Sequence, residues 1–216
     1  WPSTDFCSPG VEIAAGSPDL GRIHVLLGVE PSRRWQSFTA EIMEMIEDRE
    51  IDAVIFLGSL LADVPHTRAI ATTITSQNAG LRAELDFEKS DYEGPVGILS
   101  VLGMALEAAG IPTISIWASV PHYAHTPPVP KASLAVLVQV ERVLGLEFGH
   151  ESLAQDSFTW ERAVDELCEG DEELGNYVKS LETARDEYES QVANGDALAA
   201  EVERFLRDNQ SPDEKP

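Results

Sequence analysis

Ile23-His24-Val25-Leu26-Leu27-Gly28 and Ile51-Asp52-Ala53-Val54-Ile55-Phe56-Leu57-Gly58 are the two stretches on which the fold turns. Each is a short aliphatic, β-branched run that stops at a glycine, and the first reads as a buried strand. Between them Trp35, Phe38, Ile42, Met45 and Ile46 fall at spacings of three and four. That spacing lays one apolar face along a helix, with Glu41, Glu44, Glu47 and Asp48 mostly elsewhere. Strand, helix, strand with short connections reads as a parallel right-handed crossover. The alternation continues downstream. After a loop through Pro65, residues 69–75 predict another strand, and 97–109 a helix stopped by Gly110 with Pro112 beyond. Thr113-Ile-Ser-Ile-Trp117 predicts a strand, and 131–144 a helix entered through Pro128 and Pro130 and stopped by Gly145. The pattern predicts an α/β fold, a three-layer α/β/α sheet domain over residues 1–149.

Past residue 149 helix formers dominate, and residues 150–210 read as an acidic helical appendage. From His150 onward there are 19 acids against 6 bases, while the first 149 residues carry 19 against 9. Tyr177, Leu181, Ala184, Tyr188 and Val192 form one apolar stripe; Leu198, Val202, Phe205 and Leu206 form a second. Asn194-Gly195-Asp196 between them predicts a turn, with Asp196 as the next N-cap, and so a helical hairpin. Residues 211–216 read as a disordered tail.

Composition narrows the function classes. The 216 residues carry a net charge of −23 and are 43% hydrophobic, enough for a folded core. Such a surface repels phosphate backbones and anionic bilayers, so neither nucleic acid nor membrane is expected as a partner. No apolar run reaches membrane-spanning length, no signal-peptide pattern opens the chain, and Cys7 and Cys168 make neither a disulfide framework nor a zinc motif. A cytoplasmic protein is the expectation. The chain opens at Trp1 rather than Met, which suggests a fragment lacking its true N-terminus.

Three segments are richer in polar and special residues than packing requires. In Leu57-Gly-Ser-Leu-Leu-Ala-Asp-Val-Pro-His-Thr-Arg68, which follows a predicted strand, His66 and Arg68 suit an anionic group, and His66 suits proton transfer. The structural reading of that loop, with Thr67 and Arg68 satisfying neighbouring carbonyls, is favoured over catalysis. Trp117-Ala-Ser-Val-Pro-His-Tyr-Ala-His125 places Trp117, His122 and Tyr123 at a second strand exit, without a carboxylate nearby to complete a metal site. Val-Pro-His occurs in both segments, which suggests two similar turns side by side at the sheet rim. Tyr92-Glu-Gly-Pro-Val-Gly-Ile98, with Tyr92 and Gly94, leads into a helix start whose amides suit an anion, but its glycines match no phosphate-binding motif. No complete catalytic set, metal site or cofactor site emerges, and no cofactor is expected.

In series, these segments resemble the second family of proteasome-assembly-chaperone domains, in its actinobacterial branch. The resemblance rests on Val25-Leu-Leu-Gly-Val-Glu-Pro31 with Arg34-Trp35, Leu57-Gly58 through Arg68, Tyr92 to Ile98, and Gly110-Ile-Pro112. It continues through Trp117 to Tyr123, Pro128-x-Pro-Lys131-Ala132, and Gly195-Asp196…Leu198-Ala-Ala-x-Val-x-Arg-Phe-Leu206. It implies a phosphorylase/hydrolase-like α/β/α fold, a homo-oligomer with a trimer as the expected form, and a proteasome-related protein partner. Relatives carry several dozen more residues before the Ile23 strand, so the 1–149 domain is expected to lack an N-terminal portion. The leading expectation is a non-enzymatic binding or assembly factor, with His66, Thr67, Arg68, Tyr92, Gly94, Trp117, His122, Tyr123 and Lys131 shaping a pocket or interface. The alternative is an enzyme or binding protein for a small anionic metabolite, in which His66 and Arg68 hold the anion and His122 handles the proton.

Overall fold

The computed structural model describes residues 12–15, 23–85, 87–90, 94 and 96–209, with side chains for 23–85, 87–90, 94 and 96–193. Tyr92 and residues 211–216 lie outside the described residues. The chain forms β1 (Glu12–Ala15), β2 (His24–Leu27), α1 (Trp35–Asp48), β3 (Val54–Ala62), β4 (Thr72–Thr75), α2 (Ala79–Leu85), α3 (Ile98–Ala108), β5 (Thr113–Pro121), α4 (Pro130–Leu144), α5 (Glu151–Gly170) and α6 (Glu172–Asn209). Strands and helices interleave through α4, as the three-layer α/β/α reading requires.

Compact units cut the chain differently from a division at residue 149. The first comprises residues 1–58, 72–118 and 136–149; the second joins 59–71 and 119–135 to 150–216. The loops after β3 and β5 therefore belong with the C-terminal helices.

In the first unit α1 and α3 share a core of Ile42, Ile98 and Leu102, with Trp35, Phe38, Met45, Ile46 and Phe56 packed against it. The apolar face read from sequence is the face that is buried. α1 starts without a side-chain cap; instead the Trp35 indole N–H donates to the Pro31 carbonyl at 2.5 Å. α3 stops as its sequence predicts: Gly110 adopts φ +81°, and the Ile111 N–H reaches back to the Leu106 carbonyl at 2.9 Å. β5 is the buried strand of the fold, with Ile116 and Ala118 fully covered. It is the middle strand of a three-stranded sheet ordered β3-β5-β4, and it runs antiparallel to β4 with Ile74 opposite Ile116. The Trp117 ring lies so close over Gly58 that a Cβ there would sit 2.5 Å from it.

Three expectations are corrected. The Ile23 run is a strand, but not a buried one: Val25 is 56% and Leu27 69% exposed. β2 pairs antiparallel with β1 in a separate two-stranded ribbon, and among the described residues it has no ladder to β3. The parallel crossover is therefore not formed, because two strands flanking a helix need not share a sheet. The third concerns residues 194–196, which are helical within the single 38-residue α6 and form no turn. A helical hairpin exists, but its arms are α5 and α6. Its turn is at Asp171, whose carboxylate accepts the Glu173 and Leu174 N–H groups at 3.0 and 3.1 Å. Gly175 allows the two helices to approach closely there, since a Cβ would lie 3.0 Å from the Cys168 carbonyl oxygen.

Candidate functional site

β3 ends at Ala62, and Asp63 leads into the first Val-Pro-His; β5 runs to Pro121, so the second Val-Pro-His straddles its end and continues as one tight 3-10 turn over His122–Ala124. Within the second unit the two segments meet. The Tyr123 hydroxyl oxygen lies 2.8 Å from the His66 backbone nitrogen and 2.8 Å from His66 Nδ1. His66 is only 1% exposed, and its Nε2 lies 3.1 Å from Asp165 Oδ1 of α5. His66 is thus held between the Tyr123 hydroxyl, which accepts its backbone N–H and lies within hydrogen-bond reach of Nδ1, and the Asp165 carboxylate facing Nε2. Burial pushes the Tyr123 phenol up to about 12, which keeps it a proton donor.

The cations of these loops are also engaged. Arg68 makes a two-pronged contact with Asp186 of α6, at 2.8 Å from Nε and 2.7 Å from Nη2, and a further contact with Glu182 at 3.2 Å. That hydrogen bonding raises the guanidinium pKa and lowers that of Asp186. Thr67 donates its hydroxyl to the same Glu182 carboxylate. Lys131, at the start of α4, donates to the His66 carbonyl at 2.5 Å and pairs with Glu161 of α5. His122 Nδ1 lies 3.2 Å from Asp63 Oδ1, and the Tyr177 hydroxyl donates to the same oxygen at 3.2 Å. The rings interlock edge to face: His66 with Tyr123 and Trp160, and His122 with Tyr123 and Tyr177.

The structure therefore brings together His66, Thr67, Arg68, His122, Tyr123 and Lys131. Trp117 and Gly94 belong to the first unit, where Trp117 covers Gly58 and Gly94 is an exposed bend. Thr67 and Arg68 satisfy side-chain carboxylates of α6, not the backbone carbonyls expected. Sequence reasoning missed those partners: Asp63, Glu161, Asp165, Glu182 and Asp186. A signal was available in the pairs Glu161/Asp165 and Glu182/Asp186, which repeat an acid at one helical turn. Among the described residues no cluster of His, Cys, Asp and Glu is arranged to hold a metal ion. Shallow hollows lie on the acidic helices, one around Asp171 and Asn176 and one around Asp186 and Ser190. Chemically the cluster is a clamp: two loops carrying cations and hydroxyls hold two helices carrying carboxylates. No described helix is long and apolar enough to cross a membrane.

Residues 6–168 match the model of the PAC2 family. Among solved structures, the chain is similar to a PAC2 family protein from Streptomyces avermitilis, at 35% identity and a TM-score of 0.68, covering 78% of this chain and 71% of that one. It is similar at 39% identity and a TM-score of 0.68 to a Mycobacterium tuberculosis proteasome-assembly chaperone homologue, covering 79% and 73%. A M. tuberculosis protein of unknown function matches at 27% identity and a TM-score of 0.73, covering 80% and 59%. No curated protein matches the chain. The chain belongs to the PAC2 family, and its relatives at 35 and 39% identity are actinobacterial.

Proposed function

We propose that this protein is a non-enzymatic binding or assembly factor that works in the cytoplasm as a homo-oligomer, a trimer, on a proteasome-related partner. One observation carries the reading. The side chains best suited to chemistry or anion binding are consumed in holding α5 and α6: Arg68 on Asp186 and Glu182, Lys131 on Glu161, and His66 between Tyr123 and Asp165. A ligand anion would have to displace carboxylates already in place. His66, Thr67, Arg68, His122, Tyr123 and Lys131 thus serve to present the helical pair. The helices offer Phe158, Leu167, Tyr188 and Val192 to solvent, apolar groups suited to a protein surface. Membership of the family, and likeness to a proteasome-assembly chaperone homologue, support the choice of partner.

The test is binding of the purified full chain to purified actinobacterial proteasome α subunits and to assembled core particles, by biolayer interferometry. Saturable binding to either is expected, and Arg68→Ala, which frees α6, should weaken it at least tenfold. Absence of binding by the folded wild type would overturn the reading. If inorganic phosphate then raised the melting temperature, the anionic-metabolite alternative would replace it.

A further inference from the structure

Arg68 and Lys131 are neutralised by carboxylates of α5 and α6, and what stands beside them in the same unit is aromatic and acidic. His122, Tyr123 and Tyr177 form a set of three rings that are pairwise near-perpendicular. The planes of His122 and Tyr123 cross at 88°, those of His122 and Tyr177 at 72°, and those of Tyr123 and Tyr177 at 89°. Their centroids are 5.7, 5.5 and 6.1 Å apart in the same order. Three such rings are disposed like the three walls of a corner. The set is open to water: the His122 side chain is 45% exposed, and that of Asp63 is 79% exposed. His122 Nδ1 and the Tyr177 hydroxyl converge on one oxygen of Asp63, each at 3.2 Å.

The face of an aromatic ring carries the negative part of its quadrupole and attracts a cation placed over it. For perpendicular walls, a point facing all three rings lies at the centroid separation divided by the square root of two from each. An ammonium there would stand about 4 Å from each ring, inside the roughly 6 Å reach of a cation–π contact. That is tight for a quaternary ammonium, whose methyl groups hold the nitrogen farther from a ring, and it suits an ammonium that keeps its N–H bonds. Asp63 provides the acceptor such N–H groups require, in a charge-assisted hydrogen bond. The same carboxylate and ring faces repel an anion, and the net charge of −23 draws cations toward the surface.

We propose that His122, Tyr123, Tyr177 and Asp63 form a binding site for an alkylammonium group, carried by a free primary amine or by a lysine side chain of another protein. The site is independent of which protein the helical pair binds. In the test, the full chain is titrated with n-butylammonium chloride at about pH 8, above the ordinary imidazole range, while NMR follows the histidine and tyrosine rings. Saturable shifts of the His122 and Tyr177 resonances are expected. Asp63→Asn should weaken binding at least fivefold, whereas Asp156→Asn, which removes the same charge from an exposed position on α5, should leave it unchanged. Tyr177→Leu removes one wall and should also weaken binding at least fivefold; if that variant fails to fold, Asp63→Asn still decides, because its side chain is mostly in water. Nα-acetyl-lysine N-methylamide separates the two sources. Shifts like those of n-butylammonium assign a lysine side chain, and loss of binding with this bulkier probe assigns a free amine. No shift with either amine, equal shifts with uncharged n-butanol, or equal binding by Asp63→Asn and Asp156→Asn would overturn the site.

Discussion

Tyr123→Phe isolates the bond that joins the two segments. The substitution keeps the ring, which packs edge to face on His66 at 5.7 Å, His122 at 5.7 Å and Tyr177 at 6.1 Å between centroids. It removes one oxygen atom that serves both the His66 backbone N–H and Nδ1. With His66 1% exposed, water has little access to replace it. A buried polar group left without a partner costs about 1–3 kcal/mol, so two such groups set an expected loss of about 3 kcal/mol. For a chain of this size that lowers the melting temperature by about 6–12 °C. Urea unfolding followed by far-UV circular dichroism gives the free energy directly, and Tyr177→Phe serves as the comparison. Tyr177 gives only one hydrogen bond, to an Asp63 side chain that is 79% exposed, so its loss should stay within about 0.5 kcal/mol. The phenol adds a second reading. Its pKa is raised from 10.0 to about 12, so between those values the unfolded chain has released the proton and the folded one retains it. Stability is therefore complete below pH 10 and falls as pH rises toward 12, and Tyr123→Phe should lack that part of the slope. A variant as stable as wild type, with an unchanged alkaline profile, would refute the hydrogen-bond assignment.

Two further outcomes follow from the geometry. Gly58→Ala places a methyl carbon 2.5–2.8 Å from three Trp117 ring carbons, so the indole must move; a loss of about 1–3 kcal/mol is expected, with a changed near-UV tryptophan spectrum, and an unchanged spectrum would contradict the close approach. Asp186 is held below its ordinary 3.8 by the Arg68 hydrogen bond, so its contribution is present above that value and lost as pH falls below it; Asp186→Asn should remove this acid-side dependence, and an identical acid titration of wild type and variant would count against the clamp.

Much of the fold was legible because the signals are local. The stripe of Trp35, Phe38, Ile42 and Met45, the glycine stops at Gly110 and Gly145, and the Pro130 entry to α4 involve residues within a few positions of one another. The chemistry that stops a helix acts over the same distance. The repeated Val-Pro-His also pointed to two segments that meet, through His66 and Tyr123, although the two are not similar turns: Val120-Pro121 ends β5 and Val64-Pro65 lies in a loop. The same locality misled at Asn194-Gly195-Asp196, where a sound turn signal lies inside α6, because such a triplet sets a preference of only about 1 kcal/mol against the rest of a 38-residue helix. It misled again at Ile23–Gly28, whose aliphatic run does form a strand. How far a strand is buried is decided by the sheet it joins, and β2 joins only β1.

By itself the sequence determined the fold class, most of the helix and strand positions, the cations and histidines of the two loops, and the family. What those side chains face was decided only by tertiary structure. Arg68 and Asp186 are 118 residues apart, and His66 and Asp165 are 99 apart. No periodicity relates positions so distant, and an acidic helix face looks the same in sequence whether it meets water or a guanidinium. Folding α5 and α6 onto the loops turned residues that could have held a ligand into residues that hold the protein.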